Sequence, residues 1–272
     1  LRHFLFGLIG MSDNEYSQRF SGIQRLYGTA AAAVLRDMHV FVAGVGGVGS
    51  WAVEALARSG VGRITLIDGD TVEAGNANRQ LHTLSSTLDQ PKAVVMAERI
   101  REINPACEVA AIHEYLSMDN MTDHLDDGYD YVIDALDSIK FKSNMIAWCK
   151  RNKVPVVATG GAGGLTDPAM IHVADLSKTY NDPLAAKVRS RLRNEFGFSR
   201  NPKRSFGVEC VFSSQQQVYP KEDGTVSHKK PGIHGVSLDC RFGYGSASYV
   251  TATFGFMAAA RAINRTLKKR LA

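Results

Sequence analysis

Cysteine is scarce in this chain: there are four in 272 residues, Cys107, Cys149, Cys210 and Cys240, and no two form a C-x-x-C pair. That scarcity speaks against a zinc ribbon or a thioredoxin-type site, both of which need closely spaced thiols, and it suits a reducing cytoplasm. Internal repeats are absent, and no linker marks off a second independent domain. The excess of basic over acidic residues is small, a net charge of +5. Charge alone therefore leaves a polyanionic partner and ordinary solvated basic faces equally open. An apolar content of 44% over 272 residues excludes general disorder.

Two stretches imitate membrane signals, and each lacks a needed part. The segment "LRHFLFGLIG" before Met11 has a short apolar run and no small-residue cleavage site. Residues 1–18 are read as disordered or a non-native start, with Met11 as the expected first residue. Residues 242–260 carry no charge for 19 positions, which is long enough for a span. Gly243, Gly245, Gly255, Ser246, Ser248, Thr251 and Thr253 weaken that reading. Phe256, Ala260, Ile263 and Leu267 recur at helical spacing, so a C-terminal helix packed on the core is preferred to membrane association.

What the chain has in abundance is alternation. Strand-like runs "HVFVAG", "RITLID", "CEVAAI", "YDYVIDAL" and "VPVVATG" alternate with helical stretches at 50–59, 91–103, 117–126 and 140–152. This order predicts an α/β fold with a doubly wound, mostly parallel sheet over residues 19–175. In such sheets ligands bind beyond the carboxyl ends of the strands, which directs attention to Gly44–Gly49, Asp68, Asp137 and Gly160–Gly164. From about residue 176 the pattern is irregular, with basic loops "FSRNPKRSFG" and "KEDGTVSHKKPGIHG". Residues 176–272 are read as an extension packed on the same domain.

The stretch "VFVAGVGGVGSWAVEALARSG" runs from strand through glycine turn to helix. Glycines at 44, 46, 47 and 49 would let the backbone approach a phosphate, and the following helix would aim its amides at the anion. With Asp68 downstream as a ribose acid, this much fits a nicotinamide dinucleotide as well as ATP. Further along come Asp70, Asn76, Asn78 and Arg79, then Lys92 in "QPKA" and Asp137 in "DALDS". A ribose acid, fixed cations and a carboxylate suited to magnesium thus gather at one sheet edge. Attack of a carboxylate on a nucleotide α-phosphate joins two anions, and Arg79 and Lys92 are the charges it would need. Blander roles stay open at this level: Asp68 capping a turn, Asn76 and Asn78 forming one, Arg79 in a surface ion pair, Lys92 solvated, Asp137 capping a helix.

The ordered set "GVGGVGS", "DGD", "NANRQ", "PKA", "INP" and "VIDALDS" resembles the adenylating domain of the ThiF, MoeB and HesA family, related to ubiquitin-activating enzymes. The resemblance implies a Rossmann-like adenylating fold and ATP-dependent activation of a carboxylate. It also implies Gly44, Gly46, Gly47 and Gly49 at the phosphates, Asp68 at the ribose, Asn76, Arg79 and Lys92 at the triphosphate, and Asp137 at magnesium. Arg25 resembles a family arginine that reaches the γ-phosphate from the other protomer of a homodimer. Relatives that activate sulfur-carrier proteins usually have two zinc-binding C-x-x-C pairs; without them no zinc is expected.

"TGGAGGLTDP", "DPLAAKVRSRLR", "GVECVFSSQ", "YPKEDGTV" and "VTATFGF" resemble one branch of that family, which acts on tRNA carrying threonylcarbamoyladenosine. This branch implies activation of the modified nucleoside's carboxylate and intramolecular ring closure, without an enzyme thiol. Lys187, Arg189, Arg191 and Arg193, as two i,i+4 pairs, would offer tRNA a broad cationic helix face, with Arg200, Lys203, Arg204, Lys229, Lys230, Lys268, Lys269 and Arg270 adding charge. The resemblance also implies a cysteine desulfurase and its sulfur-acceptor protein as partners, which keeps a non-catalytic ATP-binding adaptor open as an alternative. A nicotinamide oxidoreductase is the other, though no catalytic His or Tyr–Lys arrangement supports it.

Overall fold

A computed structural model describes residues 12–125, 128–229 and 245–272. The expected start at Met11, Lys230, Cys240 and the first residues of the uncharged run lie outside the described residues. Helices α1 (Asp13–Tyr27) and α2 (Thr29–Asp37) lead into β1 (His39–Ala43), α3 (Gly49–Arg58), β2 (Arg63–Ile67), α4 (Lys92–Ile103) and β3 (Glu108–Ile112). Next come α5 (Met121–Leu125), β4 (Tyr131–Asp134), α6 (Ile139–Arg151), β5 (Val156–Thr159), β6 (Ile171–Asp175), α7 (Pro183–Glu195), β7 (Glu209–Ser213) and α8 (Ser248–Arg270). All five expected strands and the helices between them are present. Residues 13–18, read as part of a disordered or non-native start, instead open α1. Ser12 caps it, and Tyr16 is buried with its hydroxyl donating to the Gly60 carbonyl at 2.6 Å.

The seven-stranded sheet has the order β3-β2-β1-β4-β5-β7-β6, parallel throughout except for the β6–β7 pair. Because side chains alternate along a strand, β1 sends Val40 and Val42 to one face and Phe41 and Ala43 to the other. The first face carries α2, α3, α4 and α8. The second carries α5, α6 and α7. Each fully buried aliphatic side chain contributes about 1.5–3 kcal/mol, so both layers are held by the same strands. The chain leaves β1 toward β2 and β3, then returns to place β4 on β1's other side. This is the switch point at which the loops after neighbouring strands splay and leave a crevice.

The extension is more regular than its composition suggests. β7 inserts between β5 and β6, and five residues, Glu-Cys-Val-Phe-Ser, are too short a run to announce themselves. Residues 248–260 of the uncharged run form the first half of α8, packed along α3. A Cβ on Gly255 would fall 2.5 Å from the Val48 carbonyl oxygen and 2.8 Å from the Ala52 nitrogen. The glycine that weakened a membrane reading is therefore the point where two backbones meet. The buried stripe is Val250, Phe254, Ala258, Ala262 and Leu267, whereas Phe256, expected in the core, is 46% exposed and sits edge-on to Trp51. Glu209 on β7 holds the helix from below through Arg261 and Arg265. No helix among the described residues is long and apolar enough to cross a membrane.

Candidate functional site

The glycine turn sits in the crevice between β1 and β4. Gly44 has φ of +84°, and a Cβ there would fall 2.9 Å from the Ala135 carbonyl oxygen at the end of β4. Gly49 opens α3 so close to the turn that a Cβ would lie 1.8 Å from the Gly44 oxygen. These two glycines are required by geometry. Gly46 and Gly47 are different: a Cβ would meet only side chains, the tip of Gln80 at 3.7 Å for Gly46, and the Arg79 stem at 3.3 Å and the Thr251 methyl at 3.6 Å for Gly47. Their bareness keeps a cradle open above the first turn of α3, at the electropositive end of the helix, where the Ser50 amide already donates to the Gly46 carbonyl at 3.1 Å. Val48, the N-cap, supplies no side-chain acceptor.

Beneath the turn, His82 is 2% exposed and its Nε2 lies 2.8 Å from the Val45 carbonyl. A carbonyl only accepts, so Nε2 carries the proton. Burial lowers the imidazole pKa and keeps the ring neutral. Trp51 donates its indole N–H to the Arg79 carbonyl at 3.0 Å, and Thr251 of α8 donates to the same oxygen at 3.3 Å. The Asn78 amide donates to the Ser246 carbonyl at 2.8 Å. The "NANRQ" segment is thus braced by α3 on one side and by the C-terminal helix on the other. Asn76 is buried and returns its side-chain oxygen to the Glu73 amide at 3.3 Å, which makes it a turn-former here. The Arg79 guanidinium donates to the Gly75 carbonyl and to Asn78 Oδ1, each at 3.0 Å.

Asp68 follows β2 and faces the turn. Its Oδ2 accepts from the Val45 amide at 2.6 Å and its Oδ1 from the Asp70 amide at 2.9 Å. Burial pushes its carboxyl pKa up, against the pull of those two amides and of Lys92. Lys92 is not solvated: it is 5% exposed, with Nζ 2.8 Å from Asp70 Oδ2. A lysine at the first position of a helix opposes the helix dipole, and Asp70 is what holds it there. Tyr115, after β3, donates its hydroxyl to the other Asp70 oxygen at 2.8 Å. Burial raises the Asp70 pKa, but the hydrogen bonds from Lys92 and Tyr115 outweigh it and the net direction is down. Asp70 stands in the sequence constellation without an assigned role, whereas Tyr115 and His82 carry no sequence signal; Tyr115 lies 45 positions from its partner, beyond any local signal.

Asp137 stands exposed on the loop between β4 and α6, and Ser138, not Asp137, occupies the N-cap of α6. The Ala135 amide donates to the Ala43 carbonyl at 2.9 Å, which ties this loop to the base of the glycine turn. Among the described residues no three His, Cys, Asp or Glu side chains gather as a metal site. Asp137 offers one exposed carboxylate on this loop, a ligand type that magnesium takes together with other oxygens.

Two expected groups are placed otherwise. Arg25 is exposed in the last turn of α1, which crosses the end of the sheet where strands begin. Arg19 of the same helix donates to the Ile103 carbonyl ahead of β3. Within this chain Arg25 does not join the glycine turn. The cationic helix α7 does not present one broad face, because residues two apart on a helix stand about 200° apart. Arg189 donates to Thr179, Arg193 donates to the Ser199 carbonyl and lies over the Phe206 ring, and Arg191 pairs with Glu195. Of the four only Lys187 is fully exposed. Cys210 is buried on β7 with its thiol pKa pushed far up by burial and by the nearby Asp182, so it is a packing residue and not a thiolate.

The ThiF family model matches residues 17–271. A tRNA threonylcarbamoyladenosine dehydratase of Escherichia coli K12 is 51% identical over 255 residues, 93% of this chain and 95% of the relative. Two solved structures of the E. coli tRNA N6-threonylcarbamoyladenosine dehydratase, in complex with ATP and with AMP, superpose with TM-scores of 0.85 and 0.86. They are 48% and 47% identical, and each covers 97% of this chain and nearly all of its own. A family model that spans nearly the whole sequence, and a relative this similar over nearly its whole length, show that the chain belongs to the ThiF family.

Proposed function

We propose that this chain dehydrates threonylcarbamoyladenosine in tRNA at the expense of ATP. The observation that carries the reading is the 51% identity to the E. coli enzyme, which extends across the extension as well as the adenylating core. The site suits the chemistry. A carboxylate oxygen of the threonylcarbamoyl group forms a bond to the α-phosphorus while the bond to pyrophosphate breaks. The substrate's own urea then attacks the acyl carbon, the bond to the AMP oxygen breaks, and the attacking group gives up its proton. One water's worth of atoms leaves the nucleoside: AMP carries away the carboxylate oxygen, and the proton given up by the urea goes to solvent.

Ring closure is intramolecular, so the nucleophile stands at very high effective concentration once the mixed anhydride exists. The work left to the protein is the first step, where like charges approach. The open cradle at Gly46–Gly47 with the first amides of α3 would hold the phosphates, Asp68 the ribose hydroxyls, and Arg79 and Lys92 the growing negative charge. Lys92 would exchange Asp70 for phosphate, and Tyr115 would keep Asp70 from following. Magnesium accompanying ATP would be held by Asp137 and would offset phosphate charge. For Arg25 to reach the triphosphate, as its family counterpart does, it must come from a second copy, which makes a homodimer part of the proposal. Residues 19–175 act as the ATP-binding core and 176–272 as an extension of the same domain.

The test is incubation of the protein with ATP, magnesium and modified tRNA, followed by nucleoside mass spectrometry. Loss of one water from the nucleoside is expected. An unchanged mass beside an active control enzyme would overturn the reading and favour the ATP-binding adaptor. Arg79→Ala should lower the cyclisation rate by about a hundred-fold, the scale of removing one charged transition-state contact.

A further inference from the structure

The loop that leads into β7, residues 196–208, lies at the end of the sheet where the strands begin, opposite the adenylation crevice. Most of it is exposed, yet its backbone is tied down. The Asp175 carboxylate accepts from the Phe206 amide at 2.9 Å, the Gly207 amide at 2.7 Å and the Val208 amide at 3.3 Å. Lys178 donates to the Pro202 carbonyl, and Arg193 donates to the Ser199 carbonyl at 3.4 Å while lying over the Phe206 ring. Asn201 closes a turn inside the loop, its side chain accepting from the Lys203 amide at 2.9 Å and its carbonyl from the Arg204 amide at 3.0 Å. A loop held in this way has little freedom left to lose when its tip meets a ligand.

What the loop holds out is charge. Arg200, Lys203 and Arg204 are exposed on it, Lys178 stands beside Pro202, and Lys150 at the end of α6 reaches the Gly207 carbonyl at 3.3 Å, with Lys153 just beyond. None of these cations pairs with a carboxylate among the described residues. The acids around them are already taken: Asp175 serves backbone amides, Glu195 pairs with Arg191, and Glu209 pairs with Arg261 and Arg265. Like charges gathered without counter-charges from the protein build a positive potential that suits a polyanion. The patch continues up the outside of α7. Lys187 and Asn194 are exposed and, seven positions apart, share one side of that helix, and Arg200 donates to Asn194 Oδ1 at 2.6 Å.

We propose that this patch clamps the phosphate backbone of the helical RNA stem behind the target nucleoside, while the nucleoside itself occupies the adenylation crevice. The proposal rests on the function argued above. Distance supports it. α7 starts at the crevice end, where Asp182 Oδ2 accepts from the Gly161 amide at 3.0 Å just beyond β5. Its 13 residues carry the chain about 20 Å to the other end, and β5 is two strands, roughly 10 Å, from β1. The patch therefore lies roughly 20–25 Å from the glycine turn. At about 3.4 Å of rise per stacked nucleotide, that is some six or seven nucleotides from the target, past the unpaired loop and onto the stem. Duplex RNA is held by its shape and its phosphates, and such contacts position the substrate without reading its sequence. Arg193, expected at the tRNA, instead props the loop that meets it.

The experiment measures Kd by filter binding across a salt series, for modified tRNA and for a short single-stranded oligonucleotide that carries the same modified nucleoside without a stem. The double variant Arg200→Gln/Lys203→Gln is compared with wild type and with Lys268→Gln/Lys269→Gln, which removes the same charge from the end of α8. The clamp variant is expected to bind tRNA roughly ten-fold or more weakly at about 0.1 M salt and to lower the salt slope by about two, one for each lost phosphate contact. Its affinity for the oligonucleotide should stay within about two-fold of wild type. Unchanged tRNA affinity and slope, an equal loss in the α8 variant, or an equal loss on the oligonucleotide would each overturn the clamp and leave the function standing. Lost binding to phosphatidylserine vesicles with tRNA affinity intact would overturn it in favour of a membrane surface. Failure of wild type to dehydrate the nucleoside in modified tRNA would defeat the functional reading first, and the clamp with it.

Discussion

Lys142 and Asp134 make the sharpest test of how the site is held. Asp134 is the last residue of β4 and fully buried; Lys142 on α6 is 1% exposed. The ammonium lies 2.9 Å from Asp134 Oδ1 and 3.1 Å from the Asp134 carbonyl. The Leu136 amide donates to Oδ1, and Thr159 of β5 donates to the same carbonyl. Asp134 Oδ2 has no partner among the described residues, so Lys142 is the charge that makes a buried carboxylate tolerable. Lys142→Met keeps the stem's volume and strands the carboxylate, at a cost of about 3–5 kcal/mol. For a chain of this size that is a fall in Tm of about 6–20 °C. The double variant Asp134→Leu/Lys142→Met should recover most of it, because an apolar pair has no charge to desolvate.

The loss should also depend on pH. Burial raises the Asp134 pKa even in the wild type, and removal of Lys142 raises it further. A group whose folded pKa lies above its unfolded value of about 3.9 adds stability below that value, and this is lost as pH rises through the folded pKa. The gap between Lys142→Met and wild type should therefore be widest near pH 8 and shrink toward pH 5 in calorimetric melts. A single variant within about 1 kcal/mol of wild type at pH 8, or a deficit that ignores pH, would refute the reasoning.

Three further outcomes are expected. Gly49→Ala should abolish ATP binding and cost several kcal/mol, since its Cβ would lie 1.8 Å from the Gly44 oxygen; near-normal ATP affinity by calorimetry would contradict this. Glu54 on α3 is 6% exposed, with its pKa pushed up by burial but more strongly down by Arg99 and Arg58. A lowered pKa adds stability above the unfolded value and loses it as pH falls, so Glu54→Gln should cost about 1.5–3 kcal/mol at pH 7. The two proteins should converge in acid unfolding below about pH 4. Lys187→Glu should weaken tRNA binding and lower its salt slope by about one; unchanged filter-binding curves across salt would remove α7 from the RNA footprint.

Much of the frame could be read along the chain. A continuous apolar run flanked by glycine or aspartate specifies a buried parallel strand whatever lies around it, which is why β1, β2, β4 and β5 were legible. The spacing of Gly44, Gly46, Gly47 and Gly49 marked the turn, yet only the clash that requires Gly49, against the Gly44 oxygen, is local; Gly44 is required by Ala135 on a strand distant in sequence. What periodicity could not reveal was which face of α8 is buried, because the run 242–260 carries no charge to mark a solvent side. The misplacement of Phe256 follows from that.

Side-chain partnership is a matter of three dimensions. The sequence by itself determined the alternating strands and helices, the crevice at their ends and the residue types that line it, since each follows from local sterics and hydropathy. Only the tertiary structure decided that Lys92 answers to Asp70, which Tyr115 also binds, that Arg79 is braced by a helix 172 positions away, and that Arg25 lies at the far end of the sheet. Those facts depend on which distant segments the fold brings within hydrogen-bond range. An interaction that decays over a few ångströms leaves no period and no spacing in the chain from which to read it.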